Sequence, residues 1–223
     1  MKYILKNTKE TDKKVKEAKY KRIIGLIVPI VIVIGYVNPL FGLTIFGCML
    51  GALLLSLYKG RIWCGKMCPR GAFLDAYISL LSKNKKIPKI MKAKWFKISI
   101  IIILMFLMIT NYIRSNGNVL LFGECMVRLL LITTVIAIAL GIIYKPRTWC
   151  SICPMGTLSG LIGKKNRSLL INKNNCVGCK LCNKKCLMEV KVYKYKDIGK
   201  VIDANCIKCG QCVNVCPKEA LQQ

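Results

Sequence analysis

The sequence predicts an all-α membrane region of four transmembrane helices, arranged as two duplicated hairpins, followed by a small α+β domain dense in cysteine. Three observations lead there. Long apolar stretches alternate with strongly basic ones along the 223 residues. A short Trp- and Cys-containing motif occurs twice, 86 residues apart. The last third of the chain carries a doubled cysteine spacing of metal-cluster type.

Residues 1–22 are polar and basic and are expected to lie along the cytoplasmic membrane surface. The run after them is too long for a signal peptide and lacks a small-residue cleavage site. Ile23 to Tyr58 is apolar throughout. As one helix it would extend about 54 Å, far past a hydrocarbon core of about 30 Å. Gly35, Asn38, Pro39 and Gly42 supply a turn, so two spans are expected, at 23–37 and 40–58. Lys21 and Arg22 are expected to snorkel at the base of the first. Trp95 to Ile113 is a third span. Val119 to Tyr144 holds a fourth, with Glu124 and Arg128 one helical turn apart near its outer end and able to pair.

The charge distribution tests this topology. Of 37 Lys and Arg, nine fall in 1–22, eleven in 59–97 and fifteen in 145–223, leaving only Arg114 and Arg128. The positive-inside rule then places both termini and the 59–94 loop in the cytoplasm of a multi-pass protein of the cell (inner) membrane. The expected domains are a basic segment 1–22, a membrane domain 23–163 and a C-terminal domain 164–223.

There is no histidine. That excludes bis-His haem, Rieske centres and His-containing zinc sites, and any metal must rest on thiolate. The fourteen cysteines lie at tight spacings among lysines, on the side where thiols stay reduced and bind metals.

Cys176, Cys179, Cys182 and Cys186 read C-x2-C-x2-C-x3-C, and Cys206, Cys209, Cys212, Cys216 and Pro217 repeat that pattern with a final Pro. Three thiolates two residues apart wrap one cubane, and the fourth cysteine serves the other cluster. One [4Fe–4S] cluster is thus expected on Cys176, Cys179, Cys182 and Cys216, the other on Cys206, Cys209, Cys212 and Cys186. A zinc ribbon needs only CxxC pairs and leaves the third cysteine of each run unexplained. Asn172 to Pro217 resembles the bacterial two-cluster ferredoxins, with Leu187 where that family usually has Pro. The stretch between the motifs is expected to form a hairpin around Asp197-Ile198-Gly199. Thirteen basic against four acidic residues in 164–223 suit anionic lipid or an acidic redox protein. Nucleic acid is not among the expected partners.

The repeated motif reads YKGRIWCGKMCPRG at 58–71 and YKPRTWCSICPMG at 144–156. Each copy follows a helical hairpin at its cytoplasmic end, so the two halves are parallel repeats about an axis along the membrane normal. Trp and the basic residues anchor an interface. The cysteines leave two readings open: free thiols, or convergence of Cys64, Cys68, Cys150 and Cys153 on one further metal or redox site. If the second and fourth spans pack side by side, their ends lie about 8–10 Å apart. Lys59, Arg61, Lys145 and Arg147 would then offset thiolate charge. Cys48 and Cys125, within the apolar spans, read as core residues.

Paired C-P motifs after transmembrane hairpins, followed by the doubled cluster motif, resemble the NapH/NosR/YccM-type membrane iron–sulfur proteins. The first pair keeps that family's usual C-x3-CP spacing, while Cys150/Cys153 is one residue shorter. The resemblance implies one-electron transfer between a cytoplasmic or quinone-pool donor and a membrane redox partner, by an electron carrier or oxidoreductase subunit. A redox-sensing regulatory protein and a quinol dehydrogenase subunit are the alternatives, and the absence of a proton-relaying histidine weighs against the latter.

Overall fold

The computed structural model describes residues 2–163, 166 and 168–222, so the boundary expected at residue 164 lies outside the described residues. Helix α1 runs Lys2–Val37. A 3-10 turn at Pro39–Gly42, capped by the Asn38 side chain, leads into α2, Leu43–Lys59. A five-residue π-helical turn, Trp63–Met67, precedes α3, Pro69–Ala76. After the short α4, Lys89–Lys92, come α5, Lys94–Arg114, and α6, Val119–Ile143. Then follow α7, Thr148–Ile152, and α8, Pro154–Ile162.

Four helical stretches are long and apolar enough to cross a membrane: Val15–Val37, Pro39–Lys59, Lys94–Arg114 and Val119–Ile143. Each matches an expected span. Their outer faces carry exposed Ile, Leu, Phe and Val, such as Ile102, Phe106 and Val135, as helices facing lipid do, because all their backbone polar groups are bonded internally. The outer pair Glu124–Arg128 forms at 2.5 Å.

The basic segment is helical from Lys2, the first part of α1 and continuous with the first span. Lys, Glu and Ala are strong helix formers, and no Gly or Pro interrupts the chain before Gly25. The Lys21 ammonium reaches Asp75 on α3 at 2.8 Å.

The repeats interlock rather than stand side by side. The short helix after each C-P motif packs against a long helix of the other repeat, α8 along α2 and α3 against α6. Leu74 of α3 and Ile78 of the 3-10 turn after it, Ile78–Leu80, share a buried cluster with Ala137 of α6 and with Trp149 and Ile152 of α7. This exchange, more than the limited contact of α2 with α6, brings the two motifs together.

The C-terminal part contains helices α9, Leu181–Lys185, and α10, Gln211–Asn214. Its strands β1, Leu170–Ile171, and β2, Leu221–Gln222, pair antiparallel. Strand content is small, and the expected hairpin at 197–199 is absent. Val192–Tyr195 tightens into a 3-10 turn instead. Gly199, at φ 73°, then turns the chain so that Lys200 bridges to Leu170. The two ends of the segment thereby close on each other around one apolar core.

Candidate functional site

That core is made of Leu169, Ile171, Met188, Val190, Val192, Val201, Ile207 and Leu221. All eight motif cysteines except Cys179 pack against it. Two cavities open on either side of Val192, which lines both. The first is lined by Cys176, Cys179, Cys182 and Cys216. The second is lined by Cys206, Cys209, Cys212 and Cys186. Each cavity thus gathers three cysteines of one motif and the fourth of the other.

Local backbone explains the wrapping. Each run begins as an extended loop and ends in a single helical turn, entered through a left-handed residue: Lys180 at φ 61° before α9 and Gly210 at φ 77° before α10. The reversal turns the flanking thiols toward one point. Burial and the neighbouring Cys209, Cys206 and Cys186 thiols push the Cys212 thiol up to about 12. Burial likewise takes Cys206 to about 11. Such thiols ionise together only where a cation offsets their charge.

The C-P motifs are built alike. Cys68 and Cys153 sit at helix N-caps with Pro69 and Pro154 at the first helical position, where a missing N–H costs nothing. The Cys68 N–H closes on the Trp63 carbonyl at 2.8 Å, and the Cys153 N–H on the Trp149 carbonyl at 2.9 Å. The same two ends are joined, but the first loop holds one more residue. It absorbs that residue as a π turn, a form that recurs at functional sites, so the difference in length does not break the correspondence of the copies.

The arginines of the two motifs cross over. Arg147 donates through Nη1 to the Cys64 carbonyl at 2.6 Å, and Arg61 donates through Nη2 to the Cys150 carbonyl. A methyl at Gly71 would overlap the Arg147 guanidinium, and one at Gly156 would overlap that of Arg61. The glycine of each C-P-x-G therefore makes room for the other repeat's arginine.

The four thiols lie within electrostatic reach of one another. Burial, then Cys64 and Cys150, push the Cys68 thiol up to about 12. Burial foremost, with Cys64 and Cys150 adding to it, raises Cys153 as well. Arg147 Nη1 stands 3.8 Å from the Cys150 sulfur, and the Arg70 guanidinium lies 5.7 Å from the centre of the Trp149 ring.

The arginines differ in one respect. Arg147 is held by Asp75 at 2.7 and 2.8 Å. Burial alone would raise the Asp75 carboxyl, but Arg147, and then Lys21, more than offset it and hold it below its usual range. Arg61, 2% exposed, has no carboxylate partner among the described residues, and its Nε is without a partner. Spacing alone singled out neither Asp75 nor this crossover. Lys145, expected near the thiols, instead pairs with Glu189 at 3.2 Å.

The C-P motifs and the second cavity form one body. Cys64 and Cys150 belong to the same apolar core as Cys206 and Cys209. A methyl at Gly65 would overlap the Ile207 carbonyl. Arg61 also donates to the Ala204 carbonyl at 3.1 Å, Lys97 to the Asn205 side chain at 2.6 Å, and Lys208 to the Gly163 carbonyl at 3.2 Å. Among the described residues no three Cys, Asp or Glu side chains stand close enough to hold a single ion. A cubane's thiolates bind four separate irons and stand farther apart.

Comparison with known proteins agrees with this arrangement. A 4Fe-4S binding domain family matches twice, at residues 41–88 and 127–174, the same 86-residue offset as the motif, and a 4Fe-4S dicluster domain family matches residues 175–221. Two uncharacterized proteins of Methanocaldococcus jannaschii are 33% identical over 180 residues and 30% identical over 184. Each alignment covers 76% of this chain, and they cover 67% and 74% of those relatives. The ferredoxin-type protein NapH of Haemophilus influenzae is 25% identical over 198 residues, covering 81% of this chain and 68% of that protein.

This chain belongs to the NapH-type membrane iron–sulfur proteins.

As a NapH-type protein it carries two [4Fe–4S] clusters and serves iron–sulfur electron transfer at a membrane. No solved structure matches the chain.

Proposed function

We propose that this NapH-type chain relays single electrons between a cytoplasmic or quinone-pool donor and a redox partner at the membrane. The observation that carries this reading is contiguity. The C-P thiols Cys64 and Cys150, the second cavity and the first cavity adjoin in series, with Val192 the side chain shared by the two cavities. Electron tunnelling falls steeply with distance, so a run of adjoining thiol-lined sites suits a relay.

A [4Fe–4S] cluster, when bound, supplies a one-electron couple whose potential depends on charge, hydrogen bonding and burial. The chain supplies the ligands and the setting. We assign Cys176, Cys179, Cys182 and Cys216 to one cluster and Cys206, Cys209, Cys212 and Cys186 to the other. The lining of the two cavities supports these sets. The segment from 164 onward is the compact α+β two-cluster ferredoxin unit, 23–163 the membrane domain and 1–22 its basic lead. The basic ends of all four spans gather at the cluster-bearing end of the molecule. By the positive-inside rule that end faces the cytoplasm, and the membrane is the cell's inner one.

Cys64, Cys68, Cys150 and Cys153 are assigned to a third redox centre at the membrane face. Three features support it. The thiols lie within electrostatic reach of one another, and burial pushes those of Cys68 and Cys153 up. The loop-length difference is absorbed by the π turn. Arg61 is a buried cation without a carboxylate partner among the described residues, and a buried charge demands compensation. Four thiolates around an iron–sulfur core carry net negative charge and provide it.

Anaerobic purification with iron and sulfide counting, followed by EPR-monitored redox titration, tests the whole. Three centres require about twelve iron per chain and two require about eight, at four per cubane. Replacing Cys64 and Cys150 by Ser lowers the count by about four and removes one EPR signal if the assignment holds. An unchanged count leaves a dithiol site or plain structural thiols. Reoxidation of the reduced clusters by quinone in liposomes then identifies a quinone-pool partner.

A further inference from the structure

The second cavity is turned toward the membrane part and the first is turned away from it. The loop 203–209 is tied down by Arg61, Lys97 and Lys208 and by the close approach of Gly65. The contacts of the first loop run back to the C-terminal segment itself. The Asn172 N–H bonds to the Ala220 carbonyl, Lys173 lies 3.8 Å from Asp197, Lys180 lies 5.5 Å from the centre of the Tyr193 ring, and α9 packs on α10. Cys179 is the one exposed motif cysteine. Val177, beside it, is 64% exposed.

The charge around this opening is predominantly positive, with Asp197 beside Lys173 and Glu219 beside Lys218 as the acidic exceptions. Lys180 and Lys218 line the first cavity, and both are exposed. Lys173, Lys184 and Lys185, on the same loop and helix, are exposed too. Residues 168–222 contain ten lysines and four carboxylates. Of those four, Glu189 is occupied by Lys92 and Lys145 on the membrane side. A ring of lysines around a small apolar window is the pattern of a docking site for an oppositely charged protein: long-range attraction sets the encounter rate, and the window permits close approach. Anionic lipid is the other chemistry that lysines attract, but the contacts of this segment with the membrane part run through loop 203–209, on the side away from this rim.

We propose that the rim of the first cavity, formed by Lys173, Lys180, Lys184 and Lys218 around Val177 and Cys179, is the docking surface for an acidic one-electron carrier protein. This rests on the relay reading above and adds where electrons cross between this chain and its soluble partner. One electron passes per encounter, the carrier being oxidised by one as this chain is reduced by one, or the reverse, and no proton need move.

The test uses the full chain with its clusters in phosphatidylcholine nanodiscs, and a small acidic plant-type ferredoxin as the probe. Binding is measured directly by surface plasmon resonance. The expected affinity falls about ten-fold or more on raising salt from about 0.05 to 0.5 M, as the Debye length shrinks. Lys173→Glu/Lys184→Glu/Lys218→Glu at low salt gives a loss of similar size with iron content unchanged. Lys85→Glu/Lys86→Glu, on the membrane-side loop, leaves affinity within about two-fold. Equal losses from both variants mean a net-charge effect and overturn the surface. If phosphatidylserine discs abolish probe binding, the lysines face the bilayer and the proposal fails. Dithionite reduction of the same discs separates this from the underlying reading. Clusters that do not reduce reversibly sink the relay itself. Clusters that do, with probe binding indifferent to salt and charge reversal, sink only the docking surface.

Discussion

Replacing Asp75 by Asn removes the carboxylate facing Arg147, the largest fully buried side chain among the described residues, 1% exposed. Two bonds of 2.7 and 2.8 Å are affected, and the guanidinium cannot shed its charge. Breaking a buried pair on one side costs about 3–5 kcal/mol, because the surviving charge stays buried. The Asn oxygen still accepts one bond, which favours the lower figure of about 3 kcal/mol. At about 2–4 °C per kcal/mol for a chain of this size, the midpoint falls by about 6–12 °C. Thermal unfolding of the anaerobic protein in micelles, followed by Trp fluorescence, reads this directly. The cycle with Arg147→Met gives the coupling: the double variant is less destabilised than the sum of the singles, by about 1–3 kcal/mol. Strictly additive losses, or a midpoint moved by less than about 2 °C in Asp75→Asn, refute the buried network. The pH dependence follows the same pair. Asp75 is held below its ordinary value by Arg147 and Lys21. Its contribution is therefore present above the unfolded carboxyl pKa of about 3.9 and is lost as pH falls below that, through the lower folded value.

The remaining expectations are more direct. Glu189→Gln loosens the C-terminal segment from the membrane part, because Lys92 at 2.5 Å and Lys145 at 3.2 Å lose their partner; faster proteolysis or hydrogen exchange across 168–222, with iron retained, is the readout. Gly71→Ala and Gly156→Ala both displace a crossed arginine and shift the EPR signal of the proposed third centre, whereas Gly51→Ala, whose Cβ meets nothing within 4 Å, leaves it unchanged. Cysteine labels at residues 85 and 220 report the cytoplasmic side; an outside signal at 85 means the first two spans are misassigned. Cys179→Ser, at the exposed corner of the first cavity, reduces iron by up to about four without changing the signal of the second cluster.

Much of this was legible in one dimension because the physics is local. A span must be about 20 apolar residues whatever it packs on, and all four were placed from hydropathy and lysine counts. A cubane loop needs thiolates two residues apart, so spacing led to two cluster motifs and to the proposed crossed grouping of their eight cysteines. Where local signals competed, the reading failed. The stretch around Asp197-Ile198-Gly199 looked like a hairpin, yet Lys200 finds Leu170, about thirty residues earlier in the chain.

The sequence by itself determined four spans, the basic ends they share, the duplication and the presence of two cluster motifs, because each rests on residue type and spacing within a few turns of chain. Only the tertiary structure decided how the duplicated halves meet. The pairings Arg147–Asp75, Arg147–Cys64 and Arg61–Cys150 join residues 72, 83 and 89 positions apart. No periodicity announces them, since they exist only once α3 and α8 have packed across the repeats. The contacts of loop 203–209 set one cavity against the membrane part, while the rim of the other carries exposed lysines. A buried arginine demands its partners wherever the chain brings them, and that demand is visible only when distance is measured in space.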